Sequence, residues 1–124
     1  NKTDPGPRFP WRQLSAAGVG AWFDDADVNY YRAYFAAHPP SILLMQEALA
    51  AYGFGVESSG AIDRRTRDVL FAFQSHFLSD HRTGAIDAET AATLFALLAK
   101  YRVEELSQLR ERYADLPASP RGGK

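Results

Sequence analysis

A lysine and an aspartate two residues apart stand near the start of the chain, in the run Lys2-Thr3-Asp4-Pro5-Gly6-Pro7. Residues two apart in an extended segment project to the same side, so the ammonium and the carboxylate would share one face. A carboxylate is a ligand for a borderline cation such as zinc, and an ammonium beside it can stabilise an anion developing on a reacting carbonyl. Pro5 and Pro7 restrict the backbone carrying the carboxylate, which is the rigid support a metal ligand needs. Taken by themselves, the same residues also describe a solvated turn, with Asp4 accepting a local backbone hydrogen bond and Lys2 in water.

No second set of residues completes a reactive centre. His38, His76 and His81 have no metal-ligand spacing; His76 falls among helical phenylalanines and His81 in a polar loop, so all three read as structural or surface residues. Tyr30, Tyr31, Tyr34 and Phe35 could stack on sugar rings, but aromatics at helical spacing more commonly pack, and packing is the reading adopted. The 124 residues are 46% hydrophobic and 23% charged with a net charge of −1, a globular composition with both signs mixed. There is no basic stripe to neutralise phosphates, so nucleic acid is not an expected partner. No apolar run approaches the roughly 18–20 residues that span a bilayer. The first residues show no leader pattern and read as the inside of a domain. The absence of cysteine assigns no compartment.

The elements that must carry these residues follow from capping and periodicity. Pro5, Pro7 and Pro10 make the first ten residues a rigid, turning loop, in which Phe9, followed by Trp11 and Trp22, should pack on something. Trp11 to Ala17 is expected as a short helix stopped by Gly18 and Gly20. Asp24 or Asp25 would cap a helix through Tyr30, Tyr31, Tyr34 and Phe35, ended by His38-Pro39-Pro40. Ser41 caps a second, with Ile42, Met45, Leu49 and Tyr52 on one face and Gly53 as its stop. A third starts at Asp63 and buries Val69, Leu70, Phe73 and Phe77. A fourth starts at Asp87 and buries Ala91, Leu94, Leu97 or Leu98, and Tyr101. A weaker fifth would use Val103, Leu106, Leu109 and Tyr113, and the chain should fray from Leu116 onward.

An internal repeat ties the third and fourth of these together. Gly60-Ala61-Ile62-Asp63 with Thr66 and Leu70-Phe71-Ala72 recurs as Gly84-Ala85-Ile86-Asp87 with Thr90 and Leu94-Phe95-Ala96. In each copy glycine permits a tight turn, isoleucine plugs the core before the helix, and aspartate accepts from free helix N–H groups. The aspartates are therefore expected to be caps and nothing more.

With these residues in place, Leu43 to Leu98 resembles the type 1 peptidoglycan-binding domain, a three-helix module of cell-wall hydrolases. The matching residues are Leu44, Gln46 and Leu49, Tyr52-Gly53-Phe54, Gly60 to Asp63 with Thr66, Phe73-Gln74, and Gly84 to Asp87 with Thr90 and Leu94. The segment Ser75 to Thr83 departs from that pattern by being longer and more polar. The run Lys2 to Pro7, with Phe9-Pro10-Trp11, Leu14 and Gly18-Val19-Gly20-Ala21-Trp22, is similar to the end of the catalytic domain in AmiD-type and AmpD-homologue N-acetylmuramoyl-L-alanine amidases. These are zinc enzymes of the phage T7 lysozyme and peptidoglycan recognition protein group.

The resemblance implies that Asp4 is a zinc ligand, that Lys2 is the catalytic residue beside it, and that two histidines come from an upstream segment this chain does not contain. Zinc so held keeps an open position and acidifies water that can attack an amide. The fold implied is mostly α: a three-helix peptidoglycan-binding bundle preceded by an irregular loop and helix left over from a zinc amidase α/β domain. Residues 1–23 would belong to the catalytic domain, 24–40 to a linker helix and boundary, 41–102 to the binding domain, and 103–124 to a C-terminal helix and flexible tail. The implied partners are peptidoglycan or muropeptides and the upstream catalytic portion of the same protein. The implied location is the bacterial envelope, in the periplasm, with outer-membrane association or export open. The residues that touch substrate are not legible. Two other readings stand beside this one, a non-catalytic peptidoglycan-binding module and a helical protein-interaction domain.

Overall fold

The computed structural model describes residues 22–120, and these contain five helices: α1 (Asp25–Ala37), α2 (Ile42–Tyr52), α3 (Arg64–Phe77), α4 (Ala88–Tyr101) and α5 (Val103–Arg112). All five were expected, and three begin on the expected cap. Ser41 Oγ accepts from Leu44 N at 3.0 Å, Asp63 Oδ1 from Thr66 N at 2.8 Å, and Asp87 Oδ1 from Thr90 N at 2.8 Å. Each bond satisfies one of the donors that a helix start leaves free. Asp24 occupies the cap position of α1 without capping it, because its carboxylate goes instead to Lys100 Nζ at 3.2 Å. The short helix expected over Trp11 to Ala17, together with Phe9 and the Lys2/Asp4 pair, lies outside the described residues.

One core runs through all five helices. Met45, Leu49 and Tyr52 of α2 and Val69, Leu70, Phe73 and Phe77 of α3 are buried as their periodicity predicts. Helix α4 departs from its expected single stripe, since every residue from Thr90 to Ala99 is buried. A helix buried on all faces must be central, and the cover comes largely from α1, whose contact with α4 is the most extensive among the described helices. Tyr31 and Phe35 of α1, each 1% exposed, set their rings 5.6 and 5.1 Å from that of Phe95. The segment expected as a linker therefore contributes Val28, Tyr31 and Phe35 to the same core as the bundle. Three expected core positions are on the surface instead: Ile62, Val103 and, in part, Trp22. The plug beside the first repeated cap is thus absent, while its counterpart Ile86 packs against the core.

What organises the repeat is a buried amide in each copy. Gln46 of α2, fully buried, donates from Nε2 to Ser59 Oγ at 3.2 Å, Ala61 O at 3.0 Å and Thr66 Oγ1 at 2.9 Å, and accepts from Gly60 N at 2.8 Å. Gln74 of α3, also fully buried, does the same one turn later. Its Nε2 donates to Thr83 Oγ1 at 3.2 Å, Ala85 O at 3.1 Å and Thr90 Oγ1 at 2.9 Å, and its Oε1 accepts from Thr83 N at 2.8 Å and Gly84 N at 2.7 Å. Each glutamine pins the turn before the next helix and the first turn of that helix together. Gly60 and Gly84 sit at φ 80° and 70°, a region a side chain disfavours, which lets each turn present its amide to the glutamine.

Residues 115–118 are held rather than loose where fraying was expected to begin. Leu116 is 7% exposed, Tyr34 Oη donates to Asp115 O at 2.9 Å, and Tyr30 Oη donates to Ala118 O at 2.7 Å. The outer tyrosines of α1 thus serve as fasteners for this strap, and the inner aromatics serve as core.

Replacing Gln74 with alanine leaves two backbone N–H groups, a carbonyl and two hydroxyls without this partner, at a cost of roughly 2–4 kcal/mol. Thermal unfolding of Gln74→Ala should fall by about 10 °C, with Gln46→Ala behaving alike. A change near that of an ordinary surface substitution, about 0.5 kcal/mol or less, would rule out this role.

Candidate functional site

Lys2 and Asp4 lie outside the described residues, so the site they are expected to form is not visible. The histidines do not assemble into a substitute. His38 stacks on Tyr34 with ring centroids 4.5 Å apart, His76 meets Phe77 edge-on at 4.5 Å, and His81 is held by Asp87. Among the described residues no group of three or more histidine, cysteine, aspartate or glutamate side chains is placed to hold a metal ion. Asp4 offers an oxygen donor suited to zinc, but one carboxylate needs partners that the described helices do not provide.

A candidate ligand site does appear where the sequence departs from the family pattern. An open cleft of about 510 Å³ is lined by Phe77, Leu78, Ser79, Asp80, His81 and Glu89, within the roughly 300–1,000 Å³ usual for small-molecule sites. Its loop is well fixed. His81 N donates to Leu78 O at 2.7 Å, His81 Nε2 lies 2.7 Å from Asp87 Oδ2, and Gln74 holds Thr83 and Gly84 just beyond. On the α4 side, Glu89 receives a two-pronged hydrogen bond from Arg32, at 2.7 and 3.0 Å. Asp87 is therefore more than a cap, since one oxygen holds the start of α4 and the other holds His81. Sequence spacing showed the cap; the histidine contact depends on the course of the loop and had no signal.

These contacts move the carboxyl groups in one direction. Burial pushes Asp87 up, but the Thr90 backbone and side chain and the His81 imidazole outweigh it and hold the carboxyl below its ordinary value. The Arg32 guanidinium holds Glu89 down, and the Thr66 contacts hold Asp63 down.

At the C-terminal end of α4, the chain enters the helical body through a firm junction. Trp22 stacks on Phe23 at 4.7 Å and leans on Phe77 at 5.5 Å, yet is 47% exposed. Its N–H donates to Tyr101 Oη at 3.2 Å, and its carbonyl accepts from Lys100 Nζ at 3.2 Å. The first described residues are thus anchored at the C-terminal end of α4.

The helical body and the sequence that builds it are homologous to part of the N-acetylmuramoyl-L-alanine amidases. No family model matches the chain. It is 46% identical over 101 residues, 81% of its length, to AmiD of Escherichia coli strain K12, and covers 36% of that protein. Among solved structures, it is similar to AmpDh3 from Pseudomonas aeruginosa in complex with an anhydromuramic pentapeptide. The TM-score is 0.63 and the identity 42%, over 82% of this chain and 40% of that one. It is also similar to E. coli AmiD in complex with anhydro-N-acetylmuramic acid-L-Ala-D-γ-Glu-L-Lys, with a TM-score of 0.58 and 47% identity, over 82% of this chain and 39% of that one. The chain spans less than half the length of the relatives it matches.

Asp63, Asp87 and Glu89 all have folded values below their unfolded ones, so the stability they contribute is present above the ordinary carboxylate range of about 4. It is lost as pH falls through the lowered values. Burial holds the His76 imidazole below its ordinary value, so the urea midpoint should slip as pH falls from 7 to 5 and drop more steeply below about pH 4 as the carboxylates protonate. Asp87→Asn keeps a competent cap but removes one titrating group, so its midpoint should fall less steeply with acid. An acid slope equal to that of the parent would exclude Asp87 as a contributor.

Proposed function

We propose that this chain supplies a zinc ligand, a catalytic lysine and a wall-binding helical module to an N-acetylmuramoyl-L-alanine amidase. The reaction is hydrolysis of the amide joining N-acetylmuramic acid to the first L-alanine of the stem peptide. The observation that carries this is the 46% identity to an amidase over most of the chain. Relatives solved with anhydromuramoyl peptides support muropeptides as the substrate class.

In this reading Asp4 is one of three protein ligands to zinc, and two histidines come from sequence that this chain does not contain. Zinc in such a site makes water acidic enough to attack an amide near neutral pH. In an extended segment Lys2 would share a face with Asp4 and place an ammonium where negative charge develops on the scissile carbonyl. Residues 41–102 serve as the peptidoglycan-binding module, and α1 joins them to the catalytic portion. Such a protein works in the bacterial envelope, on the periplasmic side, where its substrate is found.

The test uses the protein carrying both this chain and its upstream sequence. Asp4→Ala should lose bound zinc and at least about a hundredfold in stem-peptide release, exceeding the loss of an outer-shell partner. Lys2→Met should keep its zinc and lose roughly 10²–10³ in kcat, as removal of an oxyanion donor does. Undiminished hydrolysis by Asp4→Ala, with zinc retained, would overturn the proposal.

A further inference from the structure

The junction at Trp22 is tied more closely than a contact near a chain end requires. Both backbone groups of Trp22 are taken by side chains from the end of α4. Its N–H donates to Tyr101 Oη at 3.2 Å, and its carbonyl accepts from Lys100 Nζ at 3.2 Å and from Tyr101 Oη at 3.4 Å. Capture of backbone groups fixes the path of the chain itself, whichever side chain stands there. Lys100 Nζ also reaches Asp24 Oδ1 at 3.2 Å, so one ammonium ties residues 22 and 24 to the same helix end. The indole adds a hold from a second helix, with the ring of Phe77 in α3 5.5 Å away. This arrangement forgoes local stability: Asp24 stands at the cap position of α1 and makes no cap bond. A cap bond is worth more to a helix than a part-exposed ion pair, which chiefly orients its partners. The support behind the junction is rigid, because Lys100 and Tyr101 directly follow the stretch of α4 in which every residue from Thr90 to Ala99 is buried.

We propose that Lys100 and Tyr101 are positioning residues for the amidase, holding the entering chain on α4 so that the catalytic portion and the wall-binding module keep one relative orientation. The inference rests on the function proposed above. A fixed orientation matters on a polymeric substrate, where both portions must engage the same wall at once. The second engagement then gains effective concentration from the first, and a junction set beforehand spares the cost of ordering it. A soluble muropeptide occupies the catalytic portion alone, so its hydrolysis does not depend on the junction. In this role Lys100 and Tyr101 touch neither substrate nor zinc; they act through Trp22 and Asp24.

The test uses the protein carrying both this chain and its upstream sequence, labelled with nitrogen-15. Relaxation of its amide signals should report one tumbling time for the two portions. When Lys100→Met and Tyr101→Phe are combined, two tumbling times should appear, and KM for insoluble peptidoglycan should rise by roughly three- to tenfold. For a soluble anhydromuramoyl peptide, kcat and KM should stay within about twofold of the parent. Lys100→Arg keeps a cation able to reach the Trp22 carbonyl and Asp24, and should behave as the parent on both substrates. If the double variant does not fold, the two single variants are measured in the same way and decide the matter. Separate tumbling in the parent protein, an unchanged KM for insoluble peptidoglycan in the variants, or an equal loss on both substrates would overturn the proposal. A parent that tumbles as one body and hydrolyses neither substrate would count against the amidase reading alone, and the change in tumbling would still decide the role of the junction.

Discussion

The fold depends on a side-chain amide with nowhere else to go. Gln46 and Gln74 are both fully buried, and each satisfies its nitrogen and its oxygen within one Gly-Ala-Ile-Asp-x-x-Thr turn. A buried amide is stabilising only when its partners are all present, and an incomplete set costs more than an apolar residue would. Each turn must therefore close on its glutamine in one geometry. Aspartate caps the following helix, glycine supplies the positive φ, and threonine inside the helix returns a hydroxyl to the same amide. Helix packing alone would allow the bundle to slide; the two amides fix how α2 hands over to α3 and α3 to α4.

That hand-over sets the rest of the molecule. With α3 and α4 placed, α4 lies in the centre, and its small and apolar residues from Thr90 to Ala99 are enclosed on all sides. Helix α1 covers one flank through Tyr31 and Phe35 against Phe95, and the segment after α5 is strapped over α1 by the hydroxyls of Tyr30 and Tyr34. The two repeated turns share the same clamp, with one further backbone donor, Thr83 N, in the second, but differ in surroundings. The second has a histidine reaching the outer oxygen of its cap, and an open cleft forms there against α4. One structural device thus serves the fold in both copies and shapes a candidate binding surface in one.

Charge placement follows the same division. Asp24, Glu89 and Asp87 each face a basic partner across a helix boundary, at 3.2, 2.7 and 2.7 Å. These pairs are part-exposed, so each contributes little to stability and more to orientation. They set where α1, α4 and the 78–83 loop meet. The bonds of Trp22 to Tyr101 and Lys100 fix the incoming chain at the C-terminal end of α4.

The amino-acid sequence alone determined the local order of this protein. The caps Ser41, Asp63 and Asp87, the stop at Gly53, the apolar faces of α2 and α3 and the duplication of the turn are written in nearest-neighbour spacing, which is how helices encode their ends and faces. It also carried the resemblance to amidases, which the 46% identity to AmiD matches. The outward turn of Ile62, the diversion of Asp24 to Lys100, the enclosure of α4 and the docking of Leu116 were decided by tertiary structure, because each depends on a residue far away in the chain. The glutamine clamps lie between the two. Both residues were visible in the motif, but Gln46 precedes its glycine by fourteen residues and Gln74 by ten. The repeat therefore does not align them, and only the folded chain brings the two amides into equivalent positions.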